Sequence, residues 1–188
     1  MATIGLRDLY RAPITVGDDG TETYGTPVRM AKAISAELSV EVAEAILYAD
    51  DGADEIVKEF VSGELTLNVN DLLPADLSAL LGQSMDDDNV LYASESDEAP
   101  YTAIGFRAKK TGGKYKYIWL YKVKFAIPNE NYTTKGDSIE FTTPEIVGQF
   151  IKRADGLWKA DWIFPVPSPA PTPRTRIAGR LSRSPMAP

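Results

Sequence analysis

A chain of 188 residues without histidine or cysteine can do chemistry only through carboxylates, lysines, hydroxyls and tyrosines. The same absences exclude disulfides, thiolate and imidazole metal sites, cysteine nucleophiles and any Ser/His or Cys/His pairing. Three patterns still carry chemical meaning. Asp50-Asp51-Gly52-Ala53-Asp54 and Asp86-Asp87-Asp88-Asn89 offer oxygen ligands of the kind calcium takes. Neither has the loop spacing that ends in a bidentate Glu, and acid-rich turns are common without metal. Paired acids could serve as general acid and base, or flank a glycosidic bond, but here they are strung along strands and turns rather than gathered. No catalytic residue and no cofactor is therefore assigned. The third pattern is KYKYIWLYKVK, Lys114 to Lys124, which interleaves lysines with aromatics as a strand that stacks bases and tracks phosphates would. Tyr115, Tyr117, Trp119, Tyr121, Val123 and Phe125 share one face by alternation, and such a ladder is more often sheet core or subunit interface.

The elements that must position these residues are mostly strands. Ile34, Ala36, Leu38, Val40 and Val42 alternate with Ser35, Glu37, Ser39 and Glu41, which predicts one buried and one wet acidic face. Leu65, Leu67 and Val69 alternate with Glu64, Thr66 and Asn68 in the same way. Between the two runs lies YADDGADE, Tyr48 to Glu55, whose Asp51-Gly52 step suits an exposed loop tip, so the pair is expected to form a long hairpin. A second hairpin is expected from Tyr101–Lys109 and Lys114–Phe125 around Thr111-Gly112-Gly113. Ile118 and Leu120 lie opposite the aromatic ladder, so its second strand is expected to be covered on both sides. Further strands are expected at Leu6–Thr15, ending before Asp18-Asp19-Gly20, and at Ser138–Thr143, Ile146–Lys152 and Trp158–Ile163. One helix is expected from Asp71 to Gly82, with Asp71 as cap, Pro74 in the first turn and Leu73, Leu77, Leu80 and Leu81 at helical spacing. The reading is a mainly β domain with one short α-helix packed on it.

Charge is distributed in blocks. From Glu37 to Glu98 there are 17 acids and one base, Lys58; from Arg107 to Lys124 there are 7 bases and no acid. The net charge of -7 argues against the whole surface attracting nucleic acid. No run is long and apolar enough to span a membrane. The stretch 163–188 holds 7 of the 13 prolines and 4 arginines with no acid, so polyproline II or disorder is expected there, and the domain is taken as 1–162.

Three segments taken in order resemble the major tail protein family of long-tailed phages and prophages of Gram-positive bacteria. They are IGLRDLYRAPIT, then ISAELSVEVAEAILYADDGADEIVKEFVSGELTLNVNDL, then YTAIGFRAKKTGGKYKYIWLYKVKFAIPNENYTTKGDSIEFTTPEIVG. The resemblance runs from Ile4 to Trp162, and the Pro/Arg-rich end departs from it. It implies a β-sandwich of long antiparallel strands with a flanking helix, hexameric rings stacked into a tube, and DNA passing through without specific binding. It also implies residence in the virion tail after synthesis in the host cytoplasm, with a tape measure protein, a tail terminator and a tail assembly chaperone as partners. On that reading Ser35, Glu37, Ser39, Glu41, Glu64, Thr66 and Asn68 are expected to face the lumen. Asp50, Asp51, Gly52, Asp54 and Glu55 are expected to form a ring-stacking loop. The alternative is a monomeric β-module binding single-stranded nucleic acid through the Lys/aromatic strand.

Overall fold

The computed structural model describes residues 2–164 except 19, 50, 51, 131, 133 and 135–141. Of the Pro/Arg-rich stretch, Ile163 and Phe164 are described and complete a strand; residues 165–188, most of the strand expected at Ser138–Thr143, and Asp50 and Asp51 lie outside the described residues. The chain is mainly β. Its strands are β1 (Thr3–Val16), β2 (Glu22–Tyr24), β3 (Val28–Arg29), β4 (Ala33–Ala49), β5 (Gly52–Val69), β6 (Ser84–Met85), β7 (Leu91–Tyr92), β8 (Thr102–Lys110), β9 (Tyr115–Phe125), β10 (Glu145–Phe150) and β11 (Lys159–Phe164). The helix α1 (Pro74–Leu81) follows β5.

Among the described residues nine strands form one antiparallel sheet in the order β2-β1-β8-β9-β10-β5-β4, with β3 on β1 and β11 on β9; β6 and β7 make a small separate ribbon. Strands β10 and β11 share one edge of β9: β10 pairs with Val123–Phe125, and β11 pairs with Tyr115–Leu120. The sheet curls into a sandwich-like arrangement around a single main core. Leu9 of β1, Ile104 of β8, Leu120 and Val123 of β9, Ile146 and Phe150 of β10, and Leu65 and Leu67 of β5 meet there. Helix α1 closes the core with Leu80 and Leu81 and is tied to β1 by the Arg11–Asp76 ion pair at 3.2 Å. Its start differs from expectation, because Leu73 occupies the cap position without a side-chain hydrogen bond and Asp71 does not cap. Its end is as expected: Gly82 takes the left-handed conformation, φ 74°, that a helix terminus favours in glycine.

Two faces differ from simple alternation, each at a register shift. Between Thr102 and Ile104 of β8, β9 advances from Val123 to Leu120, one residue more than its partner. That bulge turns Val123 and Phe125 to the core side with Leu120 and Ile118, while Trp119 stays on the reverse with Ala12 and Ala103. The expected one-face ladder from Tyr115 to Phe125 is therefore split, although the expectation that both sides of β9 are covered holds at its centre. In β4, Ile34 is displaced by a shift between Ala33 and Ser35, and it is exposed. Ala36 and Leu38 pack against the core as expected. Val40 and Val42 do not: they are 44% and 50% exposed, Val40 on the last rung that β10 reaches, opposite Gly63, and Val42 beyond it.

Candidate functional site

Two surfaces of the β4–β5 hairpin matter. The first lies near its base, where the hairpin is still part of the sheet. Leu65, Leu67 and Val69 are fully buried, which sends Glu64, Thr66 and Asn68 to the outer face. Cross-strand pairing aligns Ser35 with Asn68, Glu37 with Thr66, Ser39 with Glu64 and Glu41 with Ser62. All seven expected lumen residues are thus brought onto one face. The Ser62 hydroxyl donates to Glu41 Oε2 at 3.0 Å. Strand β10 extends the face with Glu145 opposite Asn68, Val147 opposite Thr66 and Gln149 opposite Glu64. Sequence reading placed a strand there without assigning its polar side; the signal was the alternation of Glu145, Val147 and Gln149 with the buried Ile146, Gly148 and Phe150. A shallow cavity of about 180 Å³ opens among Ser39, Glu41, Ser62, Gly63, Glu64 and Gln149. Lys124, next to Gln149 in register, turns its ammonium to Glu98 at 3.2 Å instead.

The second surface is the far part of the hairpin. Tyr48 to Glu55 was expected to be a loop, yet β4 continues to Ala49 and β5 begins at Gly52, with Tyr48 opposite Ala53 and Ala49 opposite Gly52. Of the expected loop residues, Gly52, Asp54 and Glu55 are strand. A bulge lies where Ser62 pairs with Glu41 but Phe60 pairs with Val42, leaving Val61 unmatched. From there Gly52–Val61 extends for about 33 Å at strand rise. Val40, Val42, Ile46, Leu47, Tyr48, Ile56, Val57 and Val61 are all exposed, eight of the twenty exposed large apolar side chains among the described residues. The hairpin is anchored at its base by a stack in which the Phe60 and Trp158 rings lie 4.7 Å apart and nearly parallel, with Phe150 alongside. Gly63 permits this, since a Cβ there would collide with the Phe150 ring.

The Lys/aromatic strand β9 is arranged differently. Tyr117 and Trp119 are each 3% exposed; Trp162 stacks on Tyr117 at 5.5 Å, and Trp119 lies over Gly105. Three of its lysines are paired, Lys116 with Asp161 at 2.8 Å, Lys122 with Glu22 at 2.6 Å and Lys124 with Glu98. The hydrogen bond from Lys116 holds the Asp161 carboxyl below its ordinary range. Beside Lys122, Arg153 lies against both the Tyr24 and Tyr121 rings, 5.4 and 5.0 Å from their centroids, while the rings contact each other at 6.1 Å. Burial pushes the Tyr24 phenol up to about 12, against the opposing pull of Arg153.

Of the acidic turns, Asp86 spends its carboxylate on its own loop. It accepts the Asp88 and Val90 amides at 3.0 and 2.8 Å and the Tyr92 hydroxyl at 3.0 Å, which lowers its pKa, the Val90 bond most. Among the described residues no three acids converge as metal ligands.

Sequence reading missed one charged cluster, on the far side of the sheet. Asp8 sits in a bulge of β1 at φ 55° and faces Arg7 at 3.3 Å, Arg29 at 3.2 Å and Arg107. A lone acid among arginines in Arg7-Asp8-Leu9-Tyr10-Arg11 was the available signal. No helix among the described residues is long and apolar enough to cross a membrane. Comparison with protein-family models and with curated proteins finds no match for the chain.

Proposed function

We propose that this chain is a tail tube subunit, the major tail protein of a long-tailed phage or prophage. Copies close into hexameric rings and the rings stack into a tube within the virion. The observation that carries the reading is the far part of the β4–β5 hairpin, a long two-stranded ribbon with exposed apolar side chains on both faces among its charges. An isolated ribbon of this kind is marginal in water, and its unpaired edge is a template for another chain. A subunit built to polymerise explains why so much apolar surface stands away from the core.

The polar face of β4, β5 and β10 supports the assignment of the channel. Glu37, Glu41, Glu64 and Glu145 lie on it, and the ion pairs among the described residues include none of them. Repeated around a ring, they make a band of negative potential that repels duplex phosphate, so DNA passes without being held. The tape measure protein, the tail terminator and the assembly chaperone are the partners this role calls for. The rival reading, single-strand binding on β9, needs open aromatic faces; those of Tyr117 and Trp119 are occupied by protein.

Negative-stain microscopy of concentrated protein tests the proposal. Rings or hollow tubes are expected. A monodisperse monomer that stays so when the other tail proteins are added would refute it.

A further inference from the structure

On one edge of the sheet, three guanidiniums converge on the single carboxylate of Asp8. Arg7 and Arg107 stand directly opposite each other on β1 and β8, a like-charge pair that a sheet tolerates only with compensation. Asp8 supplies it from a bulged, positive-φ position that a residue with a side chain seldom adopts. Its carboxylate is mostly covered, 13% exposed, and faces Arg107, itself 17% exposed. Arg7 and Arg29 are more than half exposed, so the cluster presents two cationic groups in excess of its one anion to solvent. Ile4 and Val28, exposed at 60% and 45%, flank it along β1 and β3.

The hairpin carries the complement. Glu55, Val57 and Glu59 share one face of β5 by period two, opposite Leu47, Ala45 and Ala43 of β4. The one base on the hairpin, Lys58, is taken by Glu44 at 2.9 Å. Each surface is thus part apolar and part charged, with opposite sign. The ion pairs among the described residues do not join them, and the hairpin face is exposed. They lie on β1 with β3 and on β5, near the two ends of the path β2-β1-β8-β9-β10-β5-β4, whose strands β1 and β4 also touch within the subunit. They also point to the same end of the sheet, because Arg7 pairs toward the β8–β9 turn and the hairpin runs from Gly63 in that direction.

We infer that the Arg7–Arg29–Arg107 cluster is a socket for the Glu55–Val57–Glu59 face of a second copy of this chain. Because neighbours keep the same polarity, the contact is head-to-tail and side by side, the kind that repeats around a closed ring. This rests on the tube reading and adds to it which surfaces join subunits within a ring.

The chain has no cysteine, so Val28→Cys with Val57→Cys reports the contact in the full chain. Oxidation is expected to give a reducible ladder of cross-linked copies that weakens with salt. Arg7→Glu with Arg29→Glu is expected to suppress the ladder about tenfold, and adding Glu55→Lys with Glu59→Lys to restore it. Circular dichroism verifies folding; should the reversal disturb it, Arg7→Gln with Arg29→Gln should still flatten the salt dependence. A ladder indifferent to these charges overturns the socket. Tubes in the microscope without this cross-link also overturn it and leave the tube standing, whereas a charge-dependent ladder without tubes keeps the socket and removes the tube.

Discussion

The β8–β9 and β4–β5 hairpins are both long, antiparallel and rich in β-branched and aromatic residues, yet they meet opposite surroundings. Strand β9 has β8 on one edge and β10 with β11 on the other, and Leu120 and Trp119 are buried on its two faces. Beyond Val61 the other hairpin has, among the described residues, only its own two strands, and Ile46, Leu47, Ile56 and Val57 are all exposed. Alternation of apolar and polar residues therefore does not by itself say what covers the apolar face. In one hairpin the rest of the chain covers it. In the other no described residue covers it, and on the proposed reading a second copy does.

The difference is broken most severely at Trp119. Trp119→Ala removes a buried ring packed on Gly105 and clustered with Ala12 and Ala103, and it is expected to cost about 4 kcal/mol in denaturant unfolding. A loss below about 1 kcal/mol would mean that the β8–β9 side is not the anchor of the fold.

The junction between the two regions comes next. Trp158→Ala deletes the ring stacked on Phe60, and about 2 kcal/mol is the expected loss, since Trp158 is only half-buried. Its sharper signature is faster proteolysis of the β4–β5 hairpin with the β8–β9 hairpin unchanged.

A pH titration probes the covered side more gently. Tyr24 has its pKa raised from 10.0 to about 12, so the folded protein keeps a proton that the unfolded chain has already lost. The stability this contributes is fully present below pH 10 and declines as the pH rises from there to about 12. Tyr24→Phe is expected to flatten that decline in thermal melts. An unchanged slope would place the titrating group elsewhere.

The smallest effect on the fold is expected where the apolar surface is uncovered. Ile46→Ser with Leu47→Ser should change unfolding stability by no more than about 0.5 kcal/mol. It should nonetheless abolish assembly by light scattering. A large loss of stability would show that the monomer already uses this surface.

Much of the arrangement was legible in residue order. The buried set Leu65, Leu67 and Val69 placed Glu64, Thr66 and Asn68 on the opposite face, and the hairpin, the helix and the two-sided burial of β9 followed from pattern alone. What was not legible depended on single-residue register shifts. The extra residue at Tyr121–Lys122 sends Val123 to the core, and no alternation announces it. The length of the β4–β5 hairpin was hidden as well, because the acids and glycine of Tyr48–Glu55 have turn chemistry although most of them extend the strands. The Asp8 cluster joins residues distant in sequence, so only the fold brings them together.

Amide hydrogen exchange, compared between dilute and concentrated protein, tests the central claim most directly. The account expects the amides of Val40–Ala49 and Gly52–Val61 to exchange fast in the dilute subunit and to become strongly protected on assembly. The amides of β8 and β9 should be protected in both. Assembly that leaves the hairpin amides as fast as in the monomer would contradict the claim that another copy covers them.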